Sequence, residues 1–289
     1  MTPCSLGPHE AGRDVRERPC ADRPCFPQYL GKQGEPALVE PVAYIRYLNE
    51  HDLGPGEPPP DRAILCYEPS LIDWLKSAYR LEPVRGVLGV YLYRLPDDQC
   101  LAVGGGFGIG APVAVAILEE LVALGCRRFV SIGTAGSLQP DLAVGELVVW
   151  ERAVRDEGTS HHYAASSEYG DASDQLTRRL EAALAARGRR FVRGASWTID
   201  ALYRETVTEA RHYQAQGVLT VEMEAAALFA VAAFRGVQAA AVFTVSDSLA
   251  GLEWRPEFHH AEVQDSLEAM FAAARAALTW PAEDERGSA

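Results

Sequence analysis

Apolar residues along this chain alternate between short continuous runs and longer stretches in which they return at helical spacing. The runs at 63–66, 129–132, 146–150, 191–197 and 239–245 predict strands, and the last is apolar throughout, as a strand buried on both faces would be. Segments 89–95 and 100–104 flank Pro96-Asp97-Asp98 and predict a hairpin. Helical spacing predicts helices over 71–79, 112–124, 174–187, 206–216, 223–235 and 261–278, with a short one at 42–49. Gly125, Gly188 and Gly236 stand just past three of them, where a left-handed residue closes a helix. The helix at 223–235 is apolar on nearly every side and is expected to be buried. Strands and helices alternate, with glycine at strand ends. The fold class that follows is α/β, a single domain with a mostly parallel central sheet flanked by helices. Residues 1–60 are punctuated by Pro24, Pro27, Pro36, Pro41, Pro55, Pro58, Pro59 and Pro60 and predict an irregular N-terminal arm; 61–280 form the α/β domain and 281–289 a polar tail.

Charge narrows the partners. The 289 residues carry 27 Lys plus Arg against 40 Asp plus Glu, a formal net charge of −13. A protein that grips a phosphate backbone needs the opposite balance, so nucleic acid is not an expected partner. One local pocket can still receive a small anion. No stretch approaches the roughly 18 apolar residues of a membrane span, and the first twenty residues lack the apolar centre of a secretory signal. Neither membrane nor export is expected, and the cytoplasm is the expected location. Six scattered cysteines do not make a disulfide framework. Cys25, Cys66, Cys100 and Cys126 lie beside apolar segments and are expected as buried, reduced thiols.

Ligands of open α/β sheets sit beyond the carboxyl ends of the strands. Candidate chemistry therefore belongs to 104–112, 133–138, 198–205 and 246–250, with 221–224 leading into the buried helix. Gly106-Phe107-Gly108-Ile109-Gly110-Ala111 matches a dinucleotide fingerprint, but the carboxylate required about 20 positions on is absent; Arg127-Arg128-Phe129-Val130-Ser131 stands there. The segment is read as a tight strand-to-helix turn whose amides can cradle an anion or a sugar hydroxyl. Gly133-Thr134-Ala135-Gly136-Ser137 is a second glycine turn, without the Gly-Lys-Ser/Thr of a triphosphate loop. Val221-Glu222-Met223-Glu224 sets two carboxylates at the entrance to an apolar helix. Acids are favoured in a first helical turn, which accounts for one of them. A buried charge needs a partner, and a pair of sugar hydroxyls would serve the other. Asp247, after the apolar strand, is either a turn cap or a desolvated proton donor. His161-His162 and His259-His260 lack further ligands at metal-binding spacing, so no metal is expected.

Taken in order, these segments resemble the nucleoside phosphorylase and nucleosidase superfamily, from about residue 63 to 278. The strongest match is Val221-Glu222-Met223-Glu224-Ala225-Ala226-Ala227-Leu228. The resemblance implies that Met223 and Glu224, with Glu222 beside them, hold a ribose. Gly108-Ile109-Gly110-Ala111-Pro112 looks like the family's Gly-x-Gly-x-Pro turn, and Ile132-Gly133-Thr134-Ala135-Gly136 like its central glycine turn. Val154 to Ser160 and Asp200-Ala201-Leu202-Tyr203 resemble segments that form or border a base pocket, which Leu202, Tyr203 and Ser246 would line. Ser246-Asp247 matches the pair of purine-cleaving members, in which the aspartic acid protonates the purine N7. The Gln-x-Arg of uridine-cleaving members is replaced by Arg204-Glu205-Thr206-Val207-Thr208.

What the resemblance implies is a single α/β domain with a distorted central sheet, usually in a trimer or hexamer. It implies a small-molecule nucleoside substrate, no cofactor, and inorganic phosphate as possible co-substrate. The chain departs from the phosphorolytic pattern in two places: Tyr67-Glu68-Pro69-Ser70-Leu71 lacks the first phosphate-binding arginine, and Ser131 stands where a second would be. Gly106, Gly108, Thr134 and Glu68 are then the candidates on the nucleophile side. The expected reaction is cleavage of a nucleoside N-glycosidic bond, a purine base leaving through Asp247, by phosphorolysis. Hydrolysis, with Glu68 activating water, is the alternative. A non-catalytic nucleoside-binding protein is the third reading, and a dinucleotide oxidoreductase is the weakest.

Overall fold

The computed structural model describes residues 26–27, 29, 31–54, 59–84 and 92–279. In chain order its elements are α1 (Pro41–Glu50), β1 (Arg62–Cys66), α2 (Pro69–Tyr79), β2 (Glu82–Val84), β3 (Leu92–Leu95), β4 (Asp98–Gly105) and α3 (Ala111–Leu124). There follow β5 (Arg128–Ser137), β6 (Leu147–Asp156), β7 (Tyr169–Asp171), α4 (Asp174–Ala185), β8 (Phe191–Ile199) and α5 (Val207–Ala215). The last are β9 (Thr220–Glu222), α6 (Ala225–Arg235), β10 (Gln238–Ser248), β11 (Arg255–Pro256) and α7 (Ala261–Thr279). The predicted helices and long strands are present, most within a few residues of their expected bounds, whereas β5 and β6 run on five and six residues past the expected ends at 132 and 150. The hairpin forms from β3 and β4, and its first residues, 89–91, lie outside the described ones, as do 1–25 and the tail from 280.

The heart of the sheet is parallel, β4 beside β1, β1 beside β5, β5 beside β10. Around it the sheet is mixed. β10 runs antiparallel to β6, β6 parallel to β8, β8 parallel to β9, and β9 antiparallel to the end of β5. Because β5 also pairs with β10, these five strands close on themselves, which is the distortion of the sheet. β5 changes neighbour to make this possible. Residues Arg128 to Ile132 pair with β1, Gly136 and Ser137 pair with β9, and the edge at 133–135 between them has neither. The site is built around that split.

Two of the expected loops are strand instead. Segments 133–138 and 246–250 extend β5 and β10, which pair with each other as far as Ser137 and Ser248. The pairing shifts register between Val245 and Asp247, so the extra residue Ser246 forms a bulge. Two long strands hold each other extended through glycines that would end an isolated one. β2, β7, β9 and β11 have only two or three residues each, too few to show a period in sequence.

Helices α3 and α6 cover one face of the sheet and α2, α4 and α7 the other. α6 is buried from Ala225 to Ala232, as its all-round apolar character predicts. Trp150 and Phe243 lie 4.1 Å apart beneath it. Gly133 is the tight point of the layer: a Cβ there would come within 2.8 Å of the Phe243 ring and 3.1 Å of Tyr67. Overpacking of this kind costs about 1–3 kcal/mol, so Gly133→Ala should lower the thermal midpoint by about 2–10 °C. A melting curve superimposed on that of the wild type would refute this account of Gly133.

Cys66 and Cys126 are buried free thiols, as expected, whereas Cys100 is partly exposed and Cys25 lies outside the described residues. From the N-terminal arm, Phe26 sets its ring edge against His161 and His162. Lys32 Nζ is 2.9 Å from His162 Nδ1, and Gln33 donates to the carbonyl of His161. The first histidine pair thus fastens the arm to the body. In the second pair, His260 meets Glu262.

Candidate active site

β1, β4, β5 and β10 deliver their C-terminal ends to one side of the sheet, and β8 and β9 reach the same region from the other direction. Beyond β4 the chain turns through Gly106, Gly108 and Gly110, with φ of 73°, 89° and 107°, a region that L side chains avoid. Pro112, in the first turn of α3, has no N–H to leave unsatisfied. The Gly110 amide donates to Glu224 Oε1 at 2.5 Å. The start of this helix therefore meets a carboxylate of its own chain, and the fingerprint-like turn serves that contact. Open space surrounds the Gly108 Cα on its side-chain side, so a ligand can approach the backbone there.

Glu224 is 3% exposed. Burial, then the charge of Glu222, pushes its carboxyl well above the ordinary range. Glu222 spends its carboxylate on the protein. Thr198 Oγ1 donates to one oxygen, and the amides of Glu224 (2.7 Å) and Ala225 (2.8 Å) donate to the other. That arrangement caps α6, satisfies two of its orphan amides and explains why the helix starts at Ala225 instead of 223. The two glutamates of one motif thus have different work. Glu222, expected beside the sugar, is the pedestal, and Glu224 is held by the backbone amides of Gly110 and Met223.

On the nucleophile side Thr134 Oγ1 donates to Glu68 Oε1 at 2.6 Å, across the split between β1 and β5. Ser131 Oγ donates to the Tyr67 hydroxyl at 3.2 Å, and Tyr67 stands edge-on to Phe107 of the glycine turn. Glu68, Thr134, the glycine turn and Glu224 are thus brought together, with the charge of Glu68 felt at Glu224.

Asp247 lies in the extension of β10 and is 7% exposed. Ser246 Oγ donates to its Oδ1 at 2.8 Å and Trp254 Nε1 to its Oδ2 at 3.0 Å. Both donors favour the ionised form, yet burial outweighs them and raises the carboxyl above its ordinary range. Gly136 lies beside this acid. A Cβ there would meet Leu249 Cδ1 at 2.7 Å, Asp247 Oδ2 at 3.1 Å and Val221 of β9 at 3.2 Å, so only glycine fits where Asp247, Leu249 and β9 close on β5.

Two residues near Asp247 were not singled out by sequence. Trp254 is one. The other, Glu205, is half-buried, accepts no hydrogen bond from the described residues, and is pushed up to about 7 by desolvation and then by Asp247. Its only signal in sequence was its place after Tyr203, where the uracil-reading pair is missing. Leu202 and Tyr203 form a single 3₁₀ turn, and Tyr203 is 94% exposed. Glu205, which caps this turn, feels the charge of Asp247, so the turn lies in the neighbourhood of the acid. Asp200, just before it, accepts from the Gly158 amide at 2.7 Å. Arg155, from the segment bordering the expected base pocket, holds Ser160, Ala164, Ala165 and Ser167 in place.

A groove of about 1340 Å³ lies between the arm, α3 and α6. Lys32, Tyr44, Pro112, Glu119 and Phe234 are among its lining, and none of the predicted site residues is. The chemistry-bearing groups sit in the shallower split of the sheet. No described helix is long and apolar enough to cross a membrane.

The family model described as the phosphorylase superfamily matches residues 70–279. A guanosine phosphorylase of Halorubrum lacusprofundi is 36% identical over 143 residues, 49% of this chain and 59% of that protein. A purine nucleoside phosphorylase of the DeoD type from Caldanaerobacter subterraneus subsp. tengcongensis is 33% identical over 61% of this chain and 75% of its own length. A uridine phosphorylase of Thermococcus kodakarensis is 31% identical over 48% of this chain and 54% of its own. The matched stretches thus span between about half and three quarters of these relatives.

Proposed function

This chain belongs to the phosphorylase superfamily, and from that membership and the geometry above we propose that it cleaves the N-glycosidic bond of a purine nucleoside by phosphorolysis. The observation that carries the reading is that two buried carboxyls stand at strand and helix ends of the same sheet, Asp247 in the extension of β10 and Glu224 just before α6 on the Gly110 amide: the first is assigned to the base and the second to the sugar. Glu224 and Met223 hold the ribose hydroxyls, contacts that strengthen as the ring gains oxocarbenium character. A phosphate oxygen attacks C1′ as the bond from C1′ to N9 breaks. The proton of Asp247 passes to N7, so the base leaves neutral, and the products are free base and ribose 1-phosphate. The amides of the Gly106–Gly108 turn supply donors to phosphate, and Thr134 joins them once its hydroxyl turns away from Glu68. We extend the resemblance to a homo-oligomer, which light scattering tests.

Glu205 supports a purine with a 6-oxo group. An acceptor without a partner suits a base edge that presents N–H donors, such as N1–H and the 2-amino group of guanine, and mismatches the acceptor N1 of adenine. The guanosine phosphorylase among the relatives agrees in its name.

Hydrolysis is the second reading, favoured by one contact: Glu68 lies on Thr134, where a dianion would be repelled and a water could be deprotonated. Base release from guanosine, inosine, adenosine and uridine, with and without phosphate, separates the cases. Phosphate-dependent release supports phosphorolysis, phosphate-independent release supports hydrolysis, and no release from any of them refutes cleavage. Glu68→Gln sharpens the choice. Under phosphorolysis the lost charge lowers the phosphate KM severalfold, about 1 kcal/mol of relieved repulsion; under hydrolysis it removes the base and costs about a hundredfold or more in kcat.

A further inference from the structure

Asp247 has two oxygens and two different partners. Ser246 offers a hydroxyl, which can donate or accept. Trp254 offers an indole N–H, which can only donate. Trp254 reaches Asp247 from an exposed segment: it is 63% exposed, stands next to β11 and is flanked by the ring of Phe258. The segment is tied to the body close to the acid, through the pairing of Asp247 with Pro256 and of Ser248 with Arg255 and through the Glu257 amide, which donates to the Ser246 carbonyl. An indole that leaves most of its surface in water while fixing its N–H on a nearly buried carboxyl is poorly explained as core packing.

We propose that Trp254 is the positioning residue of the acid, its donor-only N–H holding Oδ2 of Asp247 as the acceptor oxygen and so assigning the transferable proton to Oδ1. This rests on the proposed role of Asp247. With the proton on Oδ1, Ser246 turns its hydroxyl to accept until a base nitrogen takes that place. When the proton has moved to the base, Ser246 and Trp254 both donate to the carboxylate that remains. The exposed indole face beside Asp247 is also placed to cover an incoming base.

The groups facing Asp247 are few. β5 presents Gly136, β11 brings Arg255 beside Ser248, and the turn before α5 presents Glu205, a carboxyl raised in part by the charge of Asp247. Glu205→Gln therefore serves as the background in which the titration of Asp247 is read. The measurement is the carboxyl infrared band that Asp247→Asn abolishes, followed against pH with and without Trp254→Phe. Phenylalanine keeps a ring and loses the donor, so the ionised form is less favoured and the midpoint should rise by about 0.5 to 1 unit. In base release from guanosine with phosphate, the alkaline limb of kcat should move up with it. The plateau should fall severalfold with KM little changed, and Trp254→Ala should raise KM as well. An unchanged infrared midpoint in Trp254→Phe overturns the proposal, as does a uniform loss of rate at every pH with the limb in place. If the wild type releases no base, the proposed function fails, while the infrared midpoint still decides the hold of Trp254 on Asp247.

Discussion

Asp247→Asn should fold as the wild type does and lose at least about tenfold, and up to about a thousandfold, in turnover of a purine nucleoside, or roughly 1.4–4 kcal/mol of barrier. Asparagine preserves the shape. Its carbonyl can accept from Trp254, and its amide can donate to Ser246, so the two bonds that now fix Asp247 persist with one reversed. What it lacks is a proton of useful acidity. Burial keeps the carboxyl protonated to higher pH than an exposed aspartate, which is what a donor to a base nitrogen needs. The loss should therefore depend on the leaving group. A ribosyl substrate whose leaving group needs no proton, such as a nitrophenyl riboside, should be cleaved by variant and wild type at rates within a fewfold. Equal loss on both substrates would move Asp247 from acid catalysis to simple architecture, and no loss on either would remove it from the mechanism.

How far the molecule was legible in sequence follows from which interactions are local. α3, α4, α6 and α7 carry their periodicity and end at glycine or a polar tail, so their places could be read directly. The closure of β10, β6, β8, β9 and β5 could not, because it depends on a strand of three residues and on β5 exchanging β1 for β9 part-way along. The same holds at the site. Two glutamates in one motif looked alike until Thr198, far away in sequence, took one of them. Asp247 was visible as a position after an apolar strand, but its partner Trp254 follows in a segment with no pattern. Glu68 and Thr134 were named separately, and only the split in the sheet puts them in contact. Leu202 and Tyr203 were named by motif likeness, and what sequence could not show is their exposure: the turn that carries them leaves Tyr203 in water.

Glu224→Gln is the other large effect, and it couples function to stability with opposite signs. In the wild type the buried carboxyl is bound by the backbone amides of Gly110 and Met223, and the proposed function adds the ribose hydroxyls. Glutamine replaces one oxygen by an amide that cannot accept, and hydroxyl bonds worth about 0.5–1.5 kcal/mol each would be lost or reversed, so kcat/KM should drop about 5–150-fold. Stability should move the other way as pH rises. The folded carboxyl is raised by burial and by Glu222, whereas the unfolded one titrates in the ordinary range. Between those two values the unfolded chain releases the proton first. Rising pH therefore favours unfolding of the wild type until the folded group also ionises. Glutamine keeps an oxygen for the Gly110 amide and has no proton to lose. Thermal midpoints should accordingly show Glu224→Gln gaining on the wild type from pH 5 to pH 9, even as its activity is lost. A difference that stays flat with pH would mean that Glu224 ionises freely in the folded chain, and the buried, sugar-facing carboxyl proposed for it would fall.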